Sequence, residues 1–125
     1  PHGLVRLKSG HLAYITKRFD RNAKQKIAVE DLCQLSLKRT EEKYKSSSEK
    51  CAKIIQYYSS HPGDDGLIFF ELLFFSFLVG NADMHLKNFS LMTEDIHNVH
   101  FAPCYDLLST RLLIPEHEDS EELAL

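Results

Sequence analysis

The sequence lacks an excess of basic residues, a paired set of cysteines and a hydrophobic run long enough to cross a bilayer. Its 15 Lys and Arg residues are outnumbered by 18 Asp and Glu residues, which gives a formal net charge of −3. Direct nucleic-acid binding depends on a basic face, so we do not expect it here. The charge balance does not exclude a partner that binds nucleic acid.

The three cysteines, Cys33, Cys51 and Cys104, are odd in number and widely spaced. They form no CxxC pair, so a disulfide framework or a zinc knuckle is not expected. We expect buried free thiols in a reducing compartment instead. The sequence opens without a secretory signal. We therefore expect a cytoplasmic protein.

The most apolar segment, residues 67–79 (LIFFELLFFSFLV), is interrupted only by Glu71 and Ser76. It is too short to span a bilayer, which takes about 20 residues. A helix that is apolar nearly all round is typical of a domain interior. We expect this segment to be buried in protein rather than in a membrane.

The remaining composition is that of an ordinary globular chain. Of its 125 residues, 43% are hydrophobic and 26% are charged, which suits one domain or part of a larger one. Because the opening PHGLVRLKSG has no initiator Met, we expect the natural protein to extend further on the N-terminal side.

Hydrophobic periodicity predicts an α+β, mainly helical chain. Ser47 or Ser48 is the expected cap of one helix, and Asp64 or Asp65 that of the next. Residues 39–45 are a charged stretch that we expect to be a solvated loop. The predicted elements, in order, are a strand over 11–20, helices over 28–37, 48–58 and 66–79, a loop over 80–88, a hairpin over 89–102 and a loop over 103–113.

The stretch over residues 80–90, GNADMHLKNFS, follows the most apolar helix and precedes the hairpin, whose far side leads into Tyr105 and Asp106. Protein kinases have this layout: an Asp acts on the acceptor hydroxyl, an Asn five residues later holds a metal, and a second Asp also holds metal. On this layout Asp83 is the base. Asn88 and Asp106 are the magnesium ligands, since magnesium prefers oxygen. Lys87 is placed to meet a phosphate as a point charge.

The Asp-x-x-x-x-Asn spacing says little alone, because Asp and Asn commonly serve ordinary turns. It gains weight from the ordered set of helix, Gly-Asn, loop, hairpin and second Asp. Two other interpretations stay open. His85 and Asp83 have the types of a metal-ligand pair, although no further ligand cluster accompanies them. Arg18 and Asp20 would also suit a plain local ion pair.

Several segments together resemble HipA-like kinases, the toxin kinases of bacterial toxin–antitoxin modules. GNADMHLKNFSLM (80–92) and FAPCYDLLST (101–110) are similar to that family's paired signature. YITKRFDR (14–21) resembles its strand running into the hinge between lobes, and VEDLCQL (29–35) resembles the following helix. EELAL (121–125) resembles a segment downstream of the metal-binding Asp. The similarity touches nearly the whole chain, in the right order.

The resemblance implies the large lobe of a protein-kinase-like fold and ATP- and magnesium-dependent phosphorylation of a protein serine or threonine. It also implies a helix-turn-helix antitoxin partner. The resemblance implies that adenine and ribose are contacted by Lys17, Arg18, Phe19 and Asp20. It implies that the phosphates and the metal are contacted by His85, Leu86, Lys87, Asn88, Tyr105 and Asp106.

The sequence departs from a complete kinase in one respect. The hinge-like segment begins by residue 14, and neither a Gly-rich loop nor a strand lysine precedes it. We therefore expect a partial C-terminal kinase domain over 1–125, with the small lobe absent and little or no activity alone. One alternative is a non-catalytic split or degraded kinase that acts by binding the antitoxin or another partner. Another is a kinase of small molecules, which would use the same machinery.

Overall fold

A computed structural model describes residues 1–22 and 25–112 and shows an α+β fold. Strands β1 (His2–Arg6) and β2 (Leu12–Thr16) form an antiparallel hairpin, and β2 lies within the predicted strand over 11–20. Gly10 takes a φ of +87° in the connecting turn, a conformation that glycine adopts at little cost. The chain leaves β2 directly into the hinge-like residues 17–20.

A second sheet has the antiparallel order β3 (Ala28–Asp31), β4 (Ser90–Asp95) and β5 (Asn98–Phe101). Strands β4 and β5 form a hairpin where the sequence predicts one. The register sets Asp31 opposite Ser90 and Leu91 opposite Phe101. Strand β3 therefore joins the hinge side of the chain to the segment that follows the loop over 80–88.

The predicted helix over 28–37 is wrong. Residues Ala28–Asp31 pair with β4, and only Leu32–Leu35 form a helix, α1. Asp31 marks the boundary, because its carboxylate accepts from Gln34 N at 2.8 Å while Gln34 Oε1 accepts from Asp31 N at 2.9 Å. This reciprocal capping box starts the helix at Leu32.

Helix α2 (Ser48–Tyr58) has its predicted bounds, and Ser47 is its N-cap, with its hydroxyl accepting from Lys50 N at 3.4 Å. Helix α3 (Pro62–Val79) begins before the predicted Gly66, because proline is well suited to the first helical turn. The expected caps Asp64 and Asp65 lie inside that first turn instead.

The expectation that α3 is buried on all sides is wrong for the described residues. Its buried positions include Phe69, Leu72 and Ser76, and among the elements described it packs mainly against α2 and β5. Seven large apolar side chains of the helix are exposed: Leu67, Ile68, Phe70, Phe74, Phe75, Phe77 and Leu78. Within the part of the chain that the structure covers, no helix has the length and apolar character needed to cross a membrane.

The core lies between α1, α2, α3 and the three-stranded sheet. Phe69 of α3 meets Phe89 edge to face, with ring centroids 5.1 Å apart. Met84, Leu86 and Phe89 come from the segment after α3 and are nearly or wholly buried in this core. Burying such side chains contributes about 1.5–3 kcal/mol each, so packing anchors the loop that follows α3.

Candidate active site

The loop over 80–88 leaves α3 at Gly80, which caps the helix with a φ of +66°. Asn81 then donates its N–H to Ser76 O at 2.9 Å, and its Oδ1 accepts from Asp83 N at 3.1 Å. Thr110 closes the loop from the other side, because its hydroxyl accepts from Ala82 N at 2.8 Å. The backbone around Asp83 is thus held from both ends.

Side chains in this loop divide between the core and the outside. Met84 and Leu86 pack inward, while Asp83 and Lys87 are only half-buried. The side chain of Leu86 therefore does not reach the candidate site, and its N–H already donates to Lys43 O at 3.1 Å. Asp83 and Lys87 remain available on the outer side.

Asn88 and Asp106 meet directly, with Asn88 Nδ2 donating to Asp106 Oδ2 at 3.0 Å. Asn88 is buried, and its Oδ1 accepts from His85 N at 2.9 Å. Asp106 is exposed and holds a φ of +56°, which is rare for a residue other than glycine. Such backbone strain costs about 1–3 kcal/mol and concentrates at functional sites. The two predicted magnesium ligands are therefore neighbours.

Tyr105 connects the hinge to the loop. Its hydroxyl donates to Lys87 O at 2.8 Å and contacts Ser90 Oγ at 2.5 Å. Its ring stacks on Phe19, with centroids 5.7 Å apart. Burial raises the pKa of the Tyr105 hydroxyl, which keeps it protonated as a donor at neutral pH. The hinge-like segment and the loop over 80–88 are thus joined through one side chain.

A cavity of about 400 Å³ lies beside this junction, within the range that holds small-molecule ligands. Its lining includes all four hinge-like residues together with Tyr105 and Asp106. Arg18 and Asp20 form an ion pair across its edge, with Arg18 Nε donating to Asp20 Oδ1 at 2.7 Å. The Arg18 guanidinium lowers the pKa of Asp20, as the local-pair interpretation predicts.

Tyr44 was not anticipated as part of the site. It belongs to the charged stretch over 39–45 that the sequence predicts as a solvated loop, yet its hydroxyl donates to Asp83 Oδ1 at 2.6 Å. Its ring meets His85 edge to face, with centroids 5.1 Å apart. The hydrogen bond joins residues that are 39 positions apart. Local periodicity and short motifs do not reach that far, so neither marks Tyr44 in the sequence.

His85 is buried, and its Nδ1 has no hydrogen-bond partner among the residues described. A metal site through His85 and Asp83 gains no support, because no group of three or more His, Cys, Asp or Glu side chains in the described ranges is arranged to hold a metal. The Asn88–Asp106 pair fits magnesium better. It offers an amide oxygen with a second lone pair and an exposed carboxylate, which are hard oxygen ligands.

The family model described as the HipA-like C-terminal domain matches residues 1–125. The chain belongs to this family. The relationship extends to Sinorhizobium fredii (strain NBRC 101917 / NGR234). A protein of that strain named "Putative kinase Y4dM" is 36% identical over 126 residues, and one named "Putative kinase Y4mE" is 34% identical over 114 residues. These alignments cover 100% and 84% of this chain but only 29% and 27% of the relatives, so the HipA-like chain spans less than a third of their length.

The fold is shared with a solved structure, the complex of the Shewanella oneidensis MR-1 toxin–antitoxin system containing HipA, HipB and operator DNA. The match has a TM-score of 0.79 at 21% sequence identity, and it covers 99% of this chain and 33% of that chain. At this identity the likeness concerns the fold. It confirms the α+β class and the predicted resemblance to HipA-like proteins.

Proposed function

We propose that this HipA-like domain is the catalytic part of a kinase that uses ATP and magnesium to phosphorylate a serine or threonine of a protein. The observation that carries the proposal is the contact between Asn88 Nδ2 and Asp106 Oδ2 at 3.0 Å. Two residues predicted from a kinase layout as metal ligands, and 18 positions apart, are thereby side by side. The names of the two Sinorhizobium fredii relatives give independent support.

Nucleotide binding is assigned to the cavity between the hinge-like segment and Tyr105. The backbone of residues 17–19 would meet the adenine edge, and the Phe19 ring, already stacked on Tyr105, would form an apolar wall. Asp20 is assigned to the ribose, although its carboxylate is paired with Arg18. Ribose binding would therefore share or displace that ion pair.

Asn88 and Asp106 would hold magnesium, which when bound neutralises the charge of the phosphates. Lys87 would add a positive charge on the same side, and its carbonyl is fixed by the Tyr105 hydroxyl. His85 supplies the backbone N–H that orients the Asn88 amide. These residues mainly position charge, which is what phosphoryl transfer asks of a protein.

Asp83 would accept the proton of the attacking hydroxyl as the acceptor oxygen bonds to the terminal phosphorus of ATP and ADP leaves. Its carboxylate has two oxygens, and one of them is already engaged by Tyr44. Its backbone is held through Asn81. A base that is fixed in this way can meet the acceptor hydroxyl at one defined place.

An antitoxin partner is also proposed for the full-length protein, because the Shewanella oneidensis structure of similar fold contains HipB and operator DNA. Because this chain has a net charge of −3, we assign contact with nucleic acid to the partner rather than to this chain. Co-purification of the tagged full-length protein with the product of a neighbouring gene would test this. Isolation of the protein alone under the same conditions would count against it.

A phosphate-transfer assay tests the function. It measures transfer of the labelled γ-phosphate of ATP to soluble proteins of the host, with magnesium present and the full-length protein as enzyme. Asp83→Ala and Asp106→Ala should each lower the rate at least about 100-fold. Asp95→Ala is the matched control, since Asp95 Oδ1 only accepts from His97 N in the exposed hairpin turn. Variants that label as well as the parent would favour the non-catalytic binding module.

Calorimetry separates the two aspartates. Asp106→Ala should weaken the binding of ATP with magnesium, because it removes a metal ligand. Asp83→Ala should bind the same nucleotide normally, because a base acts on the acceptor rather than on ATP. Equal binding losses in both variants would contradict these separate roles.

A further inference from the structure

Tyr44 and the preceding residue, Lys43, contact the candidate catalytic loop at three points in all. The hydroxyl of Tyr44 donates to Asp83 Oδ1 at 2.6 Å, and its ring edge lies against the imidazole of His85. The carbonyl of the preceding residue, Lys43, accepts from Leu86 N at 3.1 Å. The segment before α2 is therefore attached to the loop through both its backbone and its side chain.

The attachment is rigid at its base. Leu86 is fully buried, so the N–H that binds Lys43 O is held by the core. The Lys43 ammonium also lies 4.7 Å from the centre of the Tyr44 ring, a cation–π contact. Tyr44 is nonetheless 49% exposed, so it stands at the surface where an acceptor protein would approach. By contrast, Tyr57 is 81% exposed and its ring meets only the neighbouring Tyr58 edge to face.

Asp83 benefits from such a partner because it lies on a loop and is only half-buried. A free carboxylate in this position would rotate among rotamers, and misplacement by about 1 Å can cost 100-fold in rate. The Tyr44 hydroxyl engages one carboxylate oxygen, Oδ1. The second oxygen, Oδ2, is then oriented for the acceptor hydroxyl.

We propose that Tyr44 is a positioning residue that fixes the Asp83 carboxylate for proton abstraction from the acceptor. This inference rests on the proposed kinase function. Tyr44 acts through Asp83 and takes no proton itself. Its hydroxyl stays protonated, since the hydrogen bond to Asp83 and then burial raise the pKa of Tyr44.

The test compares Tyr44→Phe with the matched control Tyr57→Phe in the full-length protein, using the same transfer from γ-labelled ATP to host proteins. Both changes delete one phenolic oxygen and keep the ring. Tyr44→Phe should lower kcat at least about tenfold and leave KM for ATP within about twofold, because nucleotide contacts are untouched. Tyr57→Phe should leave both unchanged.

A second measurement does not depend on activity. Tyrosines labelled with ¹³C at Cζ report ionisation by NMR, and Tyr44→Phe identifies the Tyr44 signal. The pKa of Tyr44 should be higher in the parent than that of an ordinary tyrosine. In Asp83→Ala its pKa should fall, since the acceptor carboxylate is gone.

The outcomes separate the two proposals. If Asp83→Ala transfers phosphate as well as the parent does, the kinase function itself fails. If Asp83→Ala is inactive while Tyr44→Phe matches the parent or exceeds it, only the positioning role fails. An unchanged Tyr44 pKa in Asp83→Ala would also overturn the positioning role. This result does not depend on whether Tyr44→Phe is stable.

Discussion

Asn88 and Asp106 are joined by a hydrogen bond from Nδ2 to Oδ2 of 3.0 Å that bridges the two loops flanking the β4–β5 hairpin. The same amide uses its oxygen to hold the N–H of His85. One buried side chain thus fixes both the turn of the first loop and the carboxylate of the second. Its replacement should affect stability and ligand binding together.

Asn88→Asp should lower the free energy of unfolding by about 1–3 kcal/mol at neutral pH, because a second carboxylate replaces the donor to Asp106 and leaves that contact unmade. Millimolar magnesium should recover part of the loss, since a divalent cation would neutralise the paired carboxylates. Denaturant unfolding with and without magnesium measures both effects.

Asn98→Asp is the control for that change. Asn98 Nδ2 also donates to a carboxylate, Glu94 Oε2 at 3.1 Å, but in the exposed hairpin. Solvent screens charges there, so the expected change is below about 0.5 kcal/mol. Equal destabilisation at both positions would show that the Asn88–Asp106 contact has no special weight.

Gly80→Ala should destabilise the fold by about 1–2 kcal/mol, because a side chain is strained at a φ of +66°. Its Cβ would also lie 2.9 Å from Arg111 Cδ, which must shift. Gly63→Ala is the matched control in the first turn of α3, where an added Cβ meets nothing within 4 Å. It should be neutral or stabilise by up to about 1 kcal/mol. Thermal unfolding of both variants measures these changes in stability. A Gly80→Ala variant as stable as the parent would contradict the prediction that a side chain is strained at this cap.

The Arg18–Asp20 pair predicts a pH dependence. Arg18 lowers the pKa of Asp20 in the folded state. The ion pair therefore stabilises the fold at pH values above the ordinary aspartate pKa, and this stabilisation is lost as the pH falls through the lowered pKa of Asp20. Arg18→Gln should raise the Asp20 pKa, as followed by carboxyl NMR. Arg21→Gln should raise it less, since Arg21 acts only through a weaker charge interaction. A larger response to Arg21→Gln would refute the pairing.

Cys104 offers a test of the cavity as the nucleotide site. Cys104 is an exposed residue that lines the cavity, whereas Cys33 and Cys51 are buried. A maleimide reagent should therefore modify Cys104 first, and saturating ATP with magnesium should slow this several-fold. The protection should disappear in Asp106→Ala. Labelling of the parent that is indifferent to ATP would place the nucleotide elsewhere.

The bounds of α2 followed from the sequence, because Cys51 and Ile55 lie one helical turn apart on a single packed face. The interpretation of residues 28–37 failed for a physical reason. Val29 shares the helical spacing of Leu32 and Cys33, but its backbone pairs with Met92 across the sheet. Strand pairing between distant segments overrides local periodicity, and periodicity alone carries no sign of it.

The candidate site shows the same division. Asn88 and Asp106 were expected to meet, because the loop–hairpin–loop order of a kinase layout brings them together. Tyr44 was missed, since a tyrosine inside a charged run looks like solvated loop until the fold brings it to Asp83. Residues tied to chemistry by a spaced motif can be found from sequence, whereas residues that support them through space cannot.

The register of β3 against β4 works as a spacer between the two halves of the site. Val29 of β3 lines the cavity beside Phe19 and Tyr105, and β4 starts at Ser90, directly beyond the loop that carries Asn88. A slip of one residue would shift the cavity wall along the loop by about 3.3 Å. The pairing of Asp31 with Ser90 therefore sets how far the cavity lies from the proposed metal ligands Asn88 and Asp106.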